Sequence, residues 1–298
     1  MADLRLFRQF IAVAEESSFR RAAERLHMAQ PPLTAAIKRL EDELGVRLIV
    51  RTNRITALTT AGEVFLEEAR KTIKQAEWTL QRTRNTASGL SGLLRLGFVA
   101  STVRHVLPDI VINFRTRHPD VVLELTEATT SQQVNSLFQN NLDAGIVVMP
   151  VPVGTVAHIA TKTIKRGNLI VALPEHHPLA RQEQLTLAEL AGSAWISFPE
   201  SEGPGLFNRI TNACAVSGFA PVIVQRAVQM ETIIGLVAAQ MGIALVPENM
   251  NHHGWQGVAF RALAGPGTPI PYHLALAWRK NDITTTLHAL IDVISESD

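Results

Sequence analysis

The chain has 298 residues, a net charge of +1, 46% hydrophobic and 18% charged residues, enough for two or three units that each bury a core. No stretch approaches the ~20 apolar residues of a membrane span, and a lone Cys214 excludes intramolecular disulfides. With no signal-peptide pattern around Asp3, Glu15 and Glu16, the expectation is a cytoplasmic protein whose nucleic-acid contacts, if any, come from a local basic patch.

Leu4, Phe7, Phe10, Ile11 and Ala14 recur at helical spacing and predict a first helix ending near Glu16. Ser17 and Ser18 can cap a second, from Phe19 to about Met28, with Ala22, Ala23 and Leu26 turned inward. A third begins near Gln30, with Leu33, Ile37, Leu40 and Leu44 on one side. Pro31, Ala35 and Lys38 lie opposite, flanked by Thr34 and Arg39. Pro31 and Pro32 suit a first turn, and Gly45 suits a C-cap. The slim leading half carries Gln30 as a base reader, the profile of a helix entering the major groove. Glu41, Asp42 and Glu43 fall in the rear half, away from phosphate. By itself this could be an ordinary packed surface helix.

Val46 to Leu58 predicts a hairpin, or wing, turning at Thr52-Asn53 with Arg51 and Arg54 at its tip. Between Ser18 and Arg54 there are eight basic residues against four acidic ones, a local positive patch. Thr60 to Thr86 then predicts a long helix of ~40 Å. Its apolar positions Phe65, Ala69, Ile73, Ala76 and Leu80 read as a dimerising seam with a partner helix; packing on its own domain is the alternative. Ala87-Ser-Gly-Leu-Ser-Gly92 reads as a hinge.

From Leu93 strands alternate with helices. Strands are predicted at Leu94–Val99, Val121–Glu127, Ala144–Met149, Leu169–Leu173, Ala194–Phe198, Val222–Val224, Ile243–Val246 and Tyr272–Trp278. Helices are predicted at His105–His118, Thr130–Asn140, Phe207–Ser217, Glu231–Met241 and Thr284–Ile294. The alternation predicts largely parallel sheets in two α/β lobes around a cleft. The boundaries are 1–59, 60–87, 88–92 and 93–298, with lobe I about 93–160 plus 268–298 and lobe II about 161–267.

Ligands of such lobes collect at strand ends facing helix starts. Ser101, Thr102, Thr129 and Thr130 from one lobe, and Gly205, Leu206, Phe207 and Met230 from the other, are candidates to hold a small carboxylate without an arginine. Helix capping is the plainer role for the hydroxyls, and Glu231 would repel an anion. Cys214 lies among apolar neighbours as a packed thiol. His176-His177 and His252-His253 sit in loops without a metal framework. No nucleophile, metal or phosphate-binding motif appears, so neither an enzyme nor a cofactor is expected.

The runs Ala22-Ala-Glu-Arg-Leu, Gln30-Pro-Pro-Leu-Thr, Ile37-Lys-Arg-Leu-Glu, Leu44-Gly and Leu58-Thr-Thr-Ala-Gly62 together resemble LysR-type transcriptional regulators. Asn141-Leu-Asp-Ala-Gly-Ile146, Leu173 to Leu179 and Gly235 to Pro247 extend the resemblance over nearly the whole chain. It implies an α+β architecture: an N-terminal winged helix-turn-helix, a linker helix and a two-lobed effector domain like periplasmic binding proteins. DNA contacts would then fall on Ser18, Arg20, Gln30, Pro31, Pro32, Thr34, Ala35, Lys38, Arg51 and Arg54. The resemblance further implies a two-fold double-stranded DNA operator, a dimer through the linker helix, a tetramer, DNA bending, and RNA polymerase as a partner. Within the family the effector half is most similar to the aromatic-acid-responsive branch, whose ligand groups match Ser101, Thr130 and Leu206–Phe207. Ala29 stands where the family has a serine cap, Thr34-Ala35-Ala36 where it often has Ser-Arg-Gln, and Ile49 where it has Phe, so specificity should lean on Gln30, Thr34 and the wing. A small-molecule carrier without a DNA role, or an enzyme with an unrecognised site, are the alternatives.

Overall fold

The computed structural model describes residues 3–51, 56–87 and 92–296, which divide into two units, Met1–Ala87 and Ser88–Asp298. In the first, α1 (Leu4–Glu16) starts where the Asp3 carboxylate accepts the Arg5 N–H at 3.1 Å. Ser18 caps α2 (Phe19–Arg25) in the same way, at 3.4 Å. α3 (Gln30–Leu44) has no side-chain cap at Ala29, carries its prolines in the first turn, and ends at Gly45 with φ 70°. That left-handed conformation favours glycine.

Leu33, Ile37 and Leu40 are buried with Phe10, Val13, Ala22 and Ala23, while Leu44 is exposed, so the apolar stripe of α3 stops one turn short of expectation. The inward face of α1 also differs: Leu6, Gln9, Phe10 and Val13 are buried and Leu4 is not. α1 packs on α2, α3 and the long helix together, so more than one stripe is covered. β1 (Ile49–Arg51) and β2 (Thr56–Leu58) form the antiparallel wing, Ile49 opposite Leu58. The turn at Thr52-Asn53, Arg54, the Arg51 side chain and hinge residues 88–91 lie outside the described residues.

α4 (Thr60–Ala87) corrects the expected seam. The Phe65 ring packs edge-on against Phe7 and Phe10, both at 5.1 Å, and Ala69 and Ile73 are buried within the same unit. Ala76 is half-buried and Leu80 is 57% exposed. The first half of the stripe is therefore occupied by α1, and only its far end remains for a partner.

The second unit contains β3 (Gly92–Phe98), α5 (Leu107–Arg117), β4 (Val121–Glu127), α6 (Thr130–Phe138), β5 (Ala144–Val148), β6 (Ile159–Lys165), β7 (Leu169–Pro174), β8 (Gln184–Thr186) and β9 (Ala194–Ser197). It continues with α7 (Pro204–Val216), β10 (Val222–Arg226), α8 (Met230–Ala238), β11 (Ala244–Pro247), β12 (Val258–Ala264), β13 (Leu274–Arg279) and α9 (Thr285–Ser295). One sheet has the order β4-β3-β5-β13-β6, the other β11-β7-β12-β8, with β10 and β9 paired beside it.

β3 runs parallel to β4 and β5, but β13 is antiparallel to β5 and β6, and β7 is antiparallel to β11 and β12. The expectation of largely parallel sheets is corrected. β6 belongs to the first sheet, so the crossing between lobes follows Lys165 rather than residue 160. There the two crossing segments pair: the Leu169 N–H donates to the Ile270 carbonyl at 2.8 Å and the Tyr272 N–H to the Gly167 carbonyl at 2.7 Å. Strands β6, β8 and β12 have no counterpart among the predicted elements. Among the described residues no helix is long and apolar enough to cross a membrane.

Candidate functional site

On α3, Gln30, Pro31, Pro32, Ala35 and Lys38 are exposed together and Thr34 is half-buried. Arg20 is exposed on α2, 3.7 Å from Glu24, and the Ser18 hydroxyl is engaged as the α2 cap. On α3 the exposed residues lie on the face opposite the buried Leu33, Ile37 and Leu40, and Lys38 and Arg20 are the exposed basic residues among these candidates.

The acids behind that face do not act alike. Glu41 is 4% exposed, and its Oε1 accepts the N–H groups of Leu48 at 2.9 Å and Ile49 at 3.1 Å while Arg47 lies 3.3 Å from Oε2. It ties the rear of α3 to the first wing strand. Its position, four residues after Ile37, was the legible sign that it points inward. Glu41→Ala strands two buried donors, each worth about 1–3 kcal/mol, so urea unfolding should show the first unit losing roughly 2–6 kcal/mol. Glu41→Gln, which keeps the accepting oxygen, should recover most of it.

In the second unit a cleft partly open to solvent is walled by Val99, Ser101, Thr129, Thr130, Leu206 and Met230, with Tyr272 and Phe198 behind. Four segments place them: the turn after β3, the start of α6, the start of α7 and the start of α8. Ser101 Oγ is 2.8 Å from the Tyr272 hydroxyl. Burial pushes the Tyr272 phenol up to about 12, against the opposing hydrogen bond from Ser101 and with a smaller contribution from Glu231. Tyr272 is therefore a neutral hydrogen-bonding group at neutral pH.

Thr130 Oγ1 accepts the Val148 N–H at 3.1 Å. The hydroxyl is part of the lobe's own bonding, so Thr130→Val would also orphan that N–H. Thr129 caps α6 in a reciprocal capping box with Gln132, and its hydroxyl donates to Glu202 Oε2 at 2.7 Å. Gln229 Nε2 donates to Glu127 Oε1 at 2.6 Å. Among the described residues lining the cleft, Glu127 is the charged one, and no lysine, arginine or histidine is present.

Three candidates fall elsewhere. Thr102 is fully buried, its hydroxyl turned back onto the Val99 carbonyl at 2.7 Å. Gly205 packs directly against Pro150, beside a second groove lined by Asn208 and Arg209. Phe207, one position beyond Leu206 on α7, is not on the cleft wall. Conversely, Tyr272 and Phe198 line the cleft without having been singled out. Tyr272 is the only tyrosine of the chain, in the segment where the chain returns between lobes; that was its one signal.

Cys214 is buried, and desolvation pushes its thiol up to about 11, which suppresses the thiolate. His177 Nδ1 accepts the Leu179 N–H at 3.2 Å. Among the described residues no group of three or more His, Cys, Asp or Glu could hold a metal.

Residues 4–63 match the model of the bacterial regulatory helix-turn-helix protein, lysR family, and residues 87–298 match the LysR substrate binding domain. The Bacillus subtilis transcriptional regulator AlsR is 40% identical over 247 residues, 83% of this chain and 81% of its own. The Escherichia coli Hca operon transcriptional activator HcaR is 35% identical over 294 residues, 99% of this chain and 97% of its own. Full-length CbnR in complex with its target DNA superposes with a TM-score of 0.76 at 26% identity, covering 99% of this chain and 100% of that one.

Proposed function

Because the chain belongs to the LysR family of DNA-binding transcriptional regulators, we propose that it reads its operator through the leading half of α3 and answers to a small carboxylate held in the cleft. Regulators of this family bind operator DNA and small-molecule effectors, form oligomers, and are not enzymes. In this chain dimerisation would use the part of α4 around Ala76 and Leu80, a tetramer would use further surface, and RNA polymerase would be met at the promoter in the cytoplasm.

The observation that carries the effector reading is the meeting of three helix starts on one cleft. Thr129-Thr130 begin α6, Leu206 lies in the first turn of α7, and Gln229-Met230 begin α8. Helix-start N–H groups favour an anion without a basic side chain; the start of α8 has no side-chain cap, whereas at α6 the Ser131 and Gln132 N–H groups are held by the Glu202 carbonyl and the Thr129 hydroxyl. Leu206, Met230 and Phe198 supply apolar walls that suit an aromatic or aliphatic body. Glu127 favours a second form of the same class, a zwitterion whose ammonium lies on Glu127 and whose carboxylate lies toward α6.

A thermal-shift screen of aromatic acids, aliphatic acids and amino acids against the whole chain tests both, since a ligand of the folded state raises Tm with concentration. A shift confined to amino acids selects the zwitterion. No shift across all three sets removes the carboxylate reading.

Gln30 is exposed at the first position of α3, where an amide can bond adenine in two places. Gln30→Ala should lower operator affinity about 10- to 100-fold and leave non-specific binding unchanged. An unaltered preferred sequence in a selection from random DNA would sink that role.

A further inference from the structure

The start of α6 already holds a carboxylate, and it comes from the opposite lobe. Glu202, in the loop between β9 and α7, places Oε2 2.7 Å from Thr129 Oγ1, which donates to it, and 3.1 Å from the donating Gln132 Nε2. Its backbone carbonyl accepts the Ser131 N–H at 3.2 Å. Thus two side-chain donors and one backbone donor, all from residues 129–132, converge on a single residue of lobe II. A second bridge, Gln229 Nε2 to Glu127 Oε1 at 2.6 Å, closes the same mouth from β4 to the start of α8.

We infer that Glu202 is an internal occupant of the anion position and, with Gln229–Glu127, a latch that keeps the lobes together until a ligand carboxylate replaces it. This rests on the carboxylate reading of the cleft. The chemistry is an exchange of like for like. A ligand carboxylate that takes the Thr129 hydroxyl and the Gln132 amide leaves Glu202 to water, so the bonds to lobe I are conserved and the tie between lobes is released. Charge-assisted bonds of this kind are stronger than neutral ones, yet Glu202 is only half-buried, so its release is within reach of a weak ligand. The loop bearing Glu202 leads directly into α7 at Gly203-Pro204, and displacement therefore moves the start of α7 against lobe I. That is a rearrangement the fold can transmit as a change in lobe angle.

The test uses the full chain, ligand-free and with benzoate as probe. Ser131 donates to the backbone of residue 202, so its amide exchange reports whether the lobes remain joined after the side chain is changed. Glu202→Ala should speed exchange in the peptide covering Thr129–Gln133 by about tenfold, and Glu202→Ala with Gln229→Ala by more. Glu202→Gln, which retains an acceptor for the Thr129 hydroxyl, should return most of the protection. An unchanged Tm for α1–α4 in these variants shows that the rest of the chain is folded. Unaltered exchange in Glu202→Ala and in the double variant overturns the latch, whatever benzoate does.

Benzoate should bind Glu202→Ala about tenfold tighter than the parent, because the competitor is gone; equal, measurable affinities overturn the occupancy. Faster exchange with no benzoate or amino-acid binding to any variant supports the latch and removes the carboxylate effector instead.

Discussion

Replacing Asp143 by alanine is expected to lower the unfolding free energy of the effector unit by roughly 3–4 kcal/mol, and the transition of the N-terminal unit should not move. Asp143 is 7% exposed. Its Oδ2 accepts the backbone N–H of Arg95 at 2.8 Å and the Arg95 Nε at 3.2 Å, while Oδ1 takes Nη2 at 2.8 Å. The Asp143 N–H returns a bond to the Arg95 carbonyl at 2.9 Å, and Arg279 stands 4.0 Å from the same carboxylate. Alanine therefore leaves a backbone donor and a guanidinium without their acceptor at the junction of β3, β5 and β13. The Arg95 side chain keeps some contact with solvent, which places the loss toward the lower end for a broken buried pair.

For a unit of this size each kcal/mol moves Tm by about 2–4 °C, so the fall should reach roughly 6–16 °C. Asp143→Asn retains one acceptor and should lose about half as much. Because α6 ends just before this junction, its start should shift too, and effector binding should weaken with stability. A calorimetric scan showing the two units' transitions separately is the measurement. A loss below about 1 kcal/mol would reduce Asp143 to a surface pair.

Gly205→Ala is expected to be the most damaging small substitution next to the cleft, one position before the cleft residue Leu206. A Cβ at this position would overlap the Pro150 carbonyl oxygen and lie 2.9 Å from Pro150 Cδ and Cγ. Neither neighbour is a flexible side chain, so backbone must move on one side or both. Overpacking of this kind costs about 1–3 kcal/mol. The start of α7 would swing away from Pro150, carrying Leu206 and the Glu202 loop with it, and ligand affinity should fall about tenfold or more.

Gly235→Ala supplies the contrast. This residue lies inside α8 with open space around its Cα, and alanine should stabilise the helix by up to about 1 kcal/mol. Two glycine-to-alanine changes in one lobe thus have opposite expected signs, separated by neighbouring backbone rather than by helix propensity. Thermal unfolding of both variants, with the thermal-shift ligand set, decides it. If Gly205→Ala matched Gly235→Ala, the close approach of α7 to Pro150 would not be a constraint in solution.

Much of the N-terminal unit could be read from local pattern. The spacing of Leu33, Ile37 and Leu40, the prolines of the first turn and the glycine at position 45 set the third helix within a residue or two of its observed limits. The reason is that caps, turns and a 3.6-residue period are written in neighbouring positions. The same holds for β4 and for α9, where Thr284 caps the helix. The family-like runs of residues joined these pieces into one architecture.

What local pattern could not supply was partnership. Phe65 carries the spacing of a seam, and only the packed unit shows α1 filling it. β12 has the run Val258-Ala-Phe-Arg-Ala-Leu-Ala264, with no alternation of polar and apolar residues to announce a strand, and is held by β7 on one side and β8 on the other. Strand direction likewise needed the tertiary structure: strands alternating with helices predict largely parallel sheets, yet β7 and β13 each run antiparallel to both of their neighbours.

At the cleft the sequence determined which hydroxyls stand at helix starts. Tertiary structure alone decided which of them are already engaged: Thr129 by Glu202, 73 residues away, and Ser101 by Tyr272, 171 residues away. A hydrogen bond acts over about 3 Å, and only the folded chain brings residues so far apart in sequence within that range.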